Sequence, residues 1–271
     1  MSDKHDSQQR RFSAINRLAG DSSLDRLAAA TVVIVGIGGV GSWAAEALAR
    51  TGVGHLVLID MDHVALSNVN RQIHATDHTV GMAKIAAMRD RIASYAPLCQ
   101  VTCIDDFASP ANLTDLFPLT GDAAGVQRLV ADVVLDCCDH RITKIALTVF
   151  CRTYNTPFIM AGSAGGKLNA SRLQLSDLAF TNQDPLLAKI RYELRYRHRF
   201  EMKPTRKMKV ACVFSDEPVK RLQNCDASAG LSCAGYGSVV TTTASMGMLM
   251  AGWAIEQILK IGDAPTGDAS I

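Results

Sequence analysis

A glycine-rich turn constrains the fold of this chain more than any other feature. Residues 31–36 read TVVIVG, a β-branched apolar run typical of a buried strand, and residues 42–52 read SWAAEALARTG, typical of a helix. Between them Gly36, Gly38 and Gly41 are spaced as G-x-G-x-x-G. A turn without side chains lets backbone N–H groups and the helix N-terminus meet a phosphate. The pattern predicts a nucleotide site; the alternative is a tight turn that binds no ligand.

An acidic residue supports the nucleotide interpretation. Residues 55–60 (HLVLID) read as a second strand, and Asp60 ends it, 24 residues after Gly36. A carboxylate at this position accepts hydrogen bonds from ribose hydroxyls in dinucleotide folds. The glycines and Asp60 fit NAD as well as ATP, so an NAD-dependent oxidoreductase stays open as an alternative.

Strand-like and helix-like segments alternate up to Gly166. Further strands are predicted near 100–104, 128–136 and 157–162, and helices at 81–95, 110–117 and 141–154. This alternation predicts an α/β fold, Rossmann-like and doubly wound, with a mainly parallel sheet. The pattern beyond Gly166 is less regular, which indicates a C-terminal, partly antiparallel extension.

These patterns divide the chain into four parts. We expect a polar lead-in at 1–30, a nucleotide-binding core at 31–166, the C-terminal extension at 167–262 and a flexible tail at 263–271.

The charge of the chain is unevenly distributed. Its 271 residues carry 28 Lys or Arg and 26 Asp or Glu, a net charge of +2. Residues 189–209, however, hold nine Lys or Arg and two Glu, a net +7, so the rest of the chain stands at −5. An apolar content of 48% excludes a disordered chain. The basic segment therefore belongs to a folded protein.

A set of polar residues accompanies the predicted nucleotide site. Its members are Asp62, Ser67, Asn68, Asn70, Arg71, Gln72, Lys84, Asp136 and Asp139. Each alone reads as a solvated surface group, but hydride transfer would need no such set. Attack of a carboxylate on the α-phosphate of ATP builds charge that Arg, Lys and Mg²⁺ must hold in place. The combination favours ATP-dependent adenylation.

The motifs GIGGVGS, LIDMD, SNVNRQ, VGMAK and LDCCD follow one another between residues 11 and 157. In this order the sequence resembles the ThiF/MoeB/HesA family, relatives of the ubiquitin-activating enzymes. The resemblance implies that ATP lies on a glycine turn formed by Gly36, Gly38, Gly39 and Gly41, with Asp60 on the ribose.

The same resemblance implies roles for the charged residues. Asn68, Arg71 and Lys84 would bind the phosphates, and Asp139 would bind Mg²⁺. Arg17 resembles an arginine that reaches the ATP site of the partner subunit, so the lead-in would contribute to a homodimer. The implied catalytic set is Arg17, Arg71, Lys84 and Asp139.

Three features favour one subgroup of the family. They are GSWAAEALARTG after the glycine turn, an RF…RLAG opening, and the absence of both CxxC pairs of the zinc-bearing relatives. The subgroup implies ATP-dependent activation of the threonyl carboxylate of N6-threonylcarbamoyladenosine in tRNA, beside the anticodon, and cyclisation with loss of water. No structural zinc is then expected. The alternatives are an adenylase of a ubiquitin-like sulfur carrier and a non-catalytic scaffold.

A tRNA substrate would give the basic segment a polyanion to bind. The expected contacts are Arg191, Arg195, Arg197, Arg199, Lys203, Arg206 and Lys207. Tyr192, Tyr196 and Phe200 recur every four residues, which predicts one helical face. We expect these aromatics in the core and the charges in water; base stacking on the aromatics stays open as an alternative.

The eight cysteines read as reduced thiols, because no export signal precedes them. We accordingly expect a cytoplasmic protein. Cys233 lies among small residues in LSCAGYGS. The resemblance implies a possible sulfur acceptor there, in a relay with a cysteine desulfurase; the alternative is a small buried cysteine.

Residues 227–255 carry no formal charge over 29 positions. Length alone would permit a membrane span. Thr241, Thr242, Thr243 and the glycines dilute the apolarity, so we expect a buried helix in the core or a dimer interface. Contact with a membrane stays open.

Overall fold

The computed structural model describes residues 10–121, 127–219 and 236–260. The helices are α1 (Ala14–Ala19), α2 (Ser23–Ala29), α3 (Gly41–Arg50), α4 (Lys84–Ala93), α5 (Leu113–Leu116), α6 (Arg141–Thr153), α7 (Pro185–His198) and α8 (Val240–Lys260). The strands are β1 (Thr31–Val35), β2 (His55–Ile59), β3 (Gln100–Ile104), β4 (Leu119–Gly121), β5 (Gln127–Leu129), β6 (Val133–Asp136), β7 (Phe158–Ala161), β8 (Leu173–Asp177) and β9 (Ala211–Ser215).

Seven of the described strands form one sheet in the order β3-β2-β1-β6-β7-β9-β8. Neighbours run parallel except β8, which is antiparallel to β9. In the register, Val33 of β1 lies opposite Val57 of β2 and Val134 of β6. The predicted doubly wound fold with a partly antiparallel C-terminal extension is confirmed.

The strand order reverses between β1 and β6. β2 and β3 lie on one side of β1, whereas β6 and β7 lie on the other. Connections that leave in opposite directions open a crevice at the carboxyl ends of the two central strands. Gly36 directly follows β1, and Cys137 directly follows β6. The glycine turn therefore lies at this crevice.

Helices cover both faces of the sheet. Val32 and Ile34 of β1 pack in one cluster with α3, α4 and α8, and Val33 and Val35 pack in another with α5 and α6. This division follows from the alternation of side chains along a strand. Burial on both faces explains why β1 is apolar throughout.

The uncharged stretch forms α8 from Val240 onwards and lies in the core. Met246, Met250 and Ala254 are fully buried. Gly247 allows a close crossing, because a Cβ there would lie 2.5 Å from the carbonyl oxygen of Val40 at the start of α3. The predicted core helix is confirmed for residues 240–255, whereas 227–235 lie outside the described residues. Across the described ranges, no helix has the length and apolarity that a membrane crossing requires.

The prediction of a single strand at 128–136 was wrong. β5 pairs with β4 in a separate antiparallel sheet, and β6 joins the main sheet. Asp132 divides them: its carboxylate accepts from the N–H of Thr31 at 2.7 Å, and its own N–H donates to the carbonyl of Thr31 at 2.9 Å. A residue hydrogen-bonded to the first residue of β1 thus marks where β6 begins.

The helix expected at 110–117 is only the single turn α5. Phe117 after it has extended backbone angles. Pro118 follows, and the residue before a proline is disfavoured in the helical region. The chain therefore leaves the helix and enters β4.

Candidate active site

A cavity of about 590 Å³ opens at the carboxyl ends of β1, β2, β6 and β7. This volume falls within the range of small-molecule sites. The glycine turn and the loops after these strands form its walls. The polar side chains that line it are Asp60, Asp62, Asn68, Arg71, Gln72, Lys84, Asp106, Asp139, Thr143, Ser163 and Thr243.

The glycines of the turn have different tasks. Gly36 has a φ of +88°, and a Cβ on it would lie 2.8 Å from the backbone nitrogen of Cys138. A Cβ on Gly41 would overlap the carbonyl oxygen of Gly36. Gly36 and Gly41 therefore let the chain close on itself. Around Gly38 the nearest atom to a Cβ would be the Nε2 of Gln72 at 3.9 Å, so this glycine faces open space in the cavity.

Asp60 braces the turn. Its Oδ2 accepts from the N–H of Ile37 at 2.6 Å, and its Oδ1 accepts from the N–H of Asp62 at 2.8 Å. Burial raises the pKa of this carboxyl, while the charge of Lys84 and these two backbone donors oppose the increase. Because a carboxylate oxygen has two lone pairs, acceptor capacity remains for a ribose hydroxyl.

Lys84 and Asn68 line the cavity, Lys84 from the start of α4 and Asn68 from the loop that follows β2. The ammonium of Lys84, at the start of α4, donates to Oδ2 of Asp62 at 2.7 Å. The Lys84 side chain is 9% exposed, whereas that of Asp62 is 68% exposed. Asn68 is buried, and its Oδ1 accepts from the N–H of Ala65 at 3.0 Å. A nearly buried cation thus faces the cavity with an exposed carboxylate as partner.

Arg71 is held by hydrogen bonds at both its main-chain carbonyl and its guanidinium. Its carbonyl accepts from Nε1 of Trp43 at 3.0 Å and from Oγ1 of Thr243 at 3.3 Å. Its Nη1 donates to the carbonyl of Ser67 at 2.6 Å and to Oδ1 of Asn70 at 3.0 Å. These contacts hold the backbone of the loop and leave the guanidinium at the cavity wall.

A buried ion pair lies directly behind the loop after β6. The ammonium of Lys144 contacts Oδ1 of Asp136 at 3.1 Å and donates to the carbonyl of Ala161 at 2.8 Å. Neither side chain is accessible to solvent. Oδ1 of Asp136 also accepts from the N–H of Cys138 at 3.2 Å. Lys144 therefore joins the carboxyl ends of β6 and β7.

The two cysteines of this loop are poor nucleophiles. Burial raises the pKa of Cys137 and Cys138, and the negative charge of Asp136 raises both further. A thiolate is the reactive form of cysteine. Both residues therefore line the cavity as neutral thiols.

Asp139 presents an exposed carboxylate to the cavity. No group of three or more His, Cys, Asp or Glu that could hold a metal ion occurs within 10–121, 127–219 and 236–260. Any cation at Asp139 would therefore take most of its ligands from a bound molecule or water.

Several residues in the cavity wall were not identified from the sequence. Phe107 lies at the cavity beside His140, with ring centroids 5.1 Å apart. Ser163 and Leu186 line the side where β7 ends. Phe107 follows β3 closely, and Ser163 follows β7. A search of every strand end would have found them, because parallel strands end at one edge of a sheet.

Two proposed residues are not brought to the cavity. Arg17 lies in α1, is exposed, and does not line the cavity of its own chain. Cys233 lies outside the described residues, so the structure gives it no position.

The basic segment begins as α7, directly beside the cavity. Asp184 caps this helix: its Oδ1 accepts from the N–H of Leu187 at 3.0 Å, and its Oδ2 accepts from the N–H of Ser163 at 2.8 Å. The helix ends where Arg199 adopts a left-handed conformation, with φ +56°.

The prediction that three aromatics share a buried helical face was wrong. Phe200 lies beyond the end of α7 and is buried, with the guanidinium of Arg152 3.6 Å from its ring centroid. Tyr192 and Tyr196 are instead 60% and 63% exposed. The stripe that packs in the core is Leu186, Leu187, Ile190 and Leu194.

The basic side chains divide into two groups. Arg191 donates to the carbonyls of Leu178 and Thr181 at 3.1 and 2.9 Å, and Arg195 donates to the carbonyl of Glu201 at 3.1 Å. These two guanidinium groups are partly buried and hold neighbouring backbone. The exposed members of the predicted contact set are Arg197, Arg199, Lys203, Arg206 and Lys207.

Comparison with known proteins gives one consistent result. Residues 9–269 match the ThiF family. The chain is 39% identical to the tRNA threonylcarbamoyladenosine dehydratase of Haemophilus influenzae, over 94% of this chain and 95% of the relative. It is 38% identical to the Escherichia coli protein of the same name, with the same coverage. A crystal structure of the E. coli dehydratase in complex with ATP superimposes with a TM-score of 0.80, covering 93% of this chain and 95% of that one.

Proposed function

Because the chain belongs to the ThiF family, we propose that it is an ATP-using enzyme that dehydrates N6-threonylcarbamoyladenosine in tRNA. One observation carries the proposal: a nucleotide-sized cavity lies on the glycine turn, in a chain similar to the dehydratases over nearly its whole length. The predicted ATP site and the predicted tRNA substrate thus belong to one enzyme.

The reaction has two steps. A carboxylate oxygen of the threonyl group attacks the α-phosphorus of ATP, a P–O bond forms, and pyrophosphate leaves. A protonated nucleophilic atom of the same modified side chain then attacks the activated carbonyl carbon and gives up its proton, and AMP leaves with the former carboxylate oxygen. The nucleoside becomes cyclic and has lost one water overall.

The proposed roles of the side chains follow from the charge that the first step builds. The amide groups around Gly38 and the first turn of α3 would meet phosphate oxygens. Lys84, Asn68 and Arg71 would hold the phosphates, and Asp60 the ribose. A nearly buried cation such as Lys84 interacts more strongly with developing charge than an exposed one, because water screens it less.

Mg²⁺ fits the residues present. No residue in the described ranges forms a hydrogen bond or ion pair with the carboxylate of Asp139, and this carboxylate faces the cavity. Mg²⁺ is commonly bound through one or two carboxylates together with substrate phosphates. Asp139 would hold the ion, which would neutralise charge on the leaving pyrophosphate.

We propose a homodimer in which Arg17 serves the neighbouring site. None of the residues of α1 is buried in the single chain, and Leu18 beside Arg17 is 83% exposed. An exposed leucine on such a short helix is a surface that a second subunit would cover. In such a dimer Arg17, which does not line the cavity of its own chain, would reach the ATP site of the partner subunit.

The exposed basic residues of the segment 189–209 are proposed to bind the tRNA backbone, in the cytoplasm, where this substrate occurs. Arg191 and Arg195 would support that surface through their backbone contacts. A role for Cys233 as sulfur acceptor stays a prediction. The proposed cyclisation does not depend on it, because an adenylate is already activated and requires no cysteine.

The alternatives make different demands on the chain. A sulfur-carrier adenylase would have no use for the exposed basic residues beyond α7. An NAD-dependent oxidoreductase would have no use for Lys84 and Arg71 at the cavity.

The decisive experiment is mass spectrometry of nucleosides from tRNA that carries threonylcarbamoyladenosine, after incubation with the protein, ATP and Mg²⁺. We expect the modified nucleoside to lose the mass of one water, with AMP and pyrophosphate formed in equal amounts. An unchanged nucleoside mass would refute the proposal. Tight binding of NAD without binding of ATP would refute the adenylating mechanism as well.

A further inference from the structure

We propose that Tyr192 and Tyr196 form a stacking surface for unpaired bases of the tRNA, next to the modified adenosine. This inference rests on the proposed function and extends it to how the substrate is held. It concerns a surface of α7 that faces away from the protein core.

The two tyrosines form a pair that the fold does not need. Their ring centroids lie 4.5 Å apart with an interplanar angle of 41°. Their 60% and 63% exposure contrasts with the full burial of Leu187, Ile190 and Leu194 on the opposite side of the helix. The core-facing stripe already anchors α7. Most of the area of both tyrosine rings is therefore open to solvent, and the two rings form a tilted aromatic pair on the outer face of α7.

Exposed basic residues flank this pair along the chain. Exposed Lys189 precedes Tyr192 by one helical turn, and exposed Arg199 follows Tyr196. Arg197 is 72% exposed and lies 4.0 Å from Glu193, a distance that leaves its guanidinium loosely held. Aromatic rings beside positive charges suit single-stranded nucleic acid, because bases stack on the rings while cations meet the phosphates.

Helix α7 also sets the distance from the reaction site. Leu186 in its first turn lines the cavity. Tyr192 and Tyr196 follow it by six and ten residues, which is about 9 and 15 Å along a helix. Stacked nucleotides are spaced by about 3.4 Å. An RNA strand whose modified base enters the cavity would therefore meet the tyrosines about three to four nucleotides away.

The occupant we propose is single-stranded rather than double-stranded RNA. A duplex buries the faces of its bases and offers mainly backbone and groove edges. Unpaired loop nucleotides expose their faces to aromatic side chains. The anticodon loop beside the modified adenosine has this chemistry.

The test compares the wild-type enzyme with the double variants Tyr192→Ser/Tyr196→Ser and Tyr192→Phe/Tyr196→Phe. The probes are an anticodon stem-loop with 2-aminopurine about three to four nucleotides from the target adenosine, and an RNA duplex of equal length. We expect the Ser variant to bind the stem-loop at least about tenfold more weakly, with an unchanged salt dependence, and the Phe variant to bind like wild type. Both variants should bind the duplex like wild type.

The 2-aminopurine signal reports stacking directly. Its fluorescence should be quenched by wild type and by the Phe variant, but not by the Ser variant. Unchanged ATP affinity in all three proteins shows that the fold is intact. Arg197→Gln is the matched control, because loss of a phosphate contact should flatten the salt dependence.

Three outcomes would overturn the inference. The Ser variant could bind the stem-loop as tightly as wild type, or it could lose as much affinity for the duplex as for the stem-loop. The third outcome is that the Ser substitutions change the mass of the oligomer while RNA binding stays unchanged. The last would mean that the tyrosines contact a second copy of the chain. Failure of the proposed function is seen separately, as an absence of dehydration by the wild-type enzyme.

Discussion

The ammonium of Lys144 lies 3.1 Å from Oδ1 of Asp136, and both side chains are fully enclosed. The partner oxygen Oδ2 of Asp136 has no hydrogen-bond donor among the described residues. Burial raises the pKa of Asp136, while the charge of Lys144 opposes this. The pair joins the ends of β6 and β7, from which two walls of the cavity continue.

Lys144→Met should destabilise the protein by about 3–5 kcal/mol, because it leaves a buried carboxylate without its cation. Urea unfolding at neutral pH measures this. Lys144→Met/Asp136→Asn should recover part of the loss, since the uncompensated charge is then gone. A single variant within about 1 kcal/mol of wild type would contradict the interpretation of the pair.

Two glycines of the turn should respond differently to the same substitution. Gly41→Ala places a Cβ on the carbonyl oxygen of Gly36 and should cost at least about 2 kcal/mol of folding free energy. Gly38→Ala meets open space and should leave the unfolding temperature nearly unchanged while weakening ATP binding. Thermal unfolding and ATP titration of both variants check this. Equal unfolding temperatures of the two variants would contradict the different tasks assigned to Gly38 and Gly41.

Asp139→Asn should raise the Mg²⁺ concentration needed for half-maximal activity by at least about tenfold. ATP–pyrophosphate exchange across a Mg²⁺ series measures it. Asp106→Asn is the matched control, because Asp106 also lines the cavity but its Oδ1 accepts from the N–H of Phe107 at 2.6 Å. A larger shift for Asp106→Asn than for Asp139→Asn would show that Asp106, and not Asp139, binds the ion.

Mixing Arg17→Ala and Lys84→Met subunits tests the shared site. Random mixing of equal amounts makes half of the dimers heterodimers. If Arg17 acts on the partner's ATP, each heterodimer has one site with both substitutions and one site with neither. The mixture should then recover about a quarter of wild-type activity, although each variant alone is inactive. No recovery after confirmed subunit exchange would place Arg17 in the site of its own chain, or outside it.

His74 should make stability depend on pH below neutrality. Burial lowers its pKa to about 4, and the charges of Lys84 and Arg91 add to this. The unfolded chain binds a proton near pH 6.5 that the folded protein accepts only near pH 4. Stability is therefore lost as the pH falls through this interval, by about 1.4 kcal/mol per unit. Urea unfolding at pH 7.5 and 5.5 should show about 1 kcal/mol less loss for His74→Gln than for wild type; an equal loss would refute the assignment.

The sequence predicted the central strands well because burial on both faces requires apolar residues throughout. β1, β2 and β7 were found where their apolar runs lie. The boundary between β5 and β6 depends instead on the contact of Asp132 with Thr31, two residues about a hundred positions apart. No local pattern contains such a contact.

The residues of the candidate site that belong to sequence motifs were predicted correctly to lie together. Asp60, Asn68, Arg71, Lys84 and Asp139 all line one cavity. Phe107 and Ser163 carry no motif, and only the meeting of strand ends brings them there. The exposure of Tyr192 depends on which side of α7 packs, and the leucine and isoleucine stripe decides that by burying more apolar area.

The carbonyl of Arg71 accepts hydrogen bonds from Trp43 in α3 and from Thr243 in α8. These partners lie 28 and 172 residues away from it along the chain. During synthesis the loop is made well before Thr243, the more distant of these two partners, which follows Arg71 by 172 residues. The loop that carries Arg71 therefore gains all of these contacts only after α8 has left the ribosome, so incomplete chains that lack α8 do not have a fully held cavity wall.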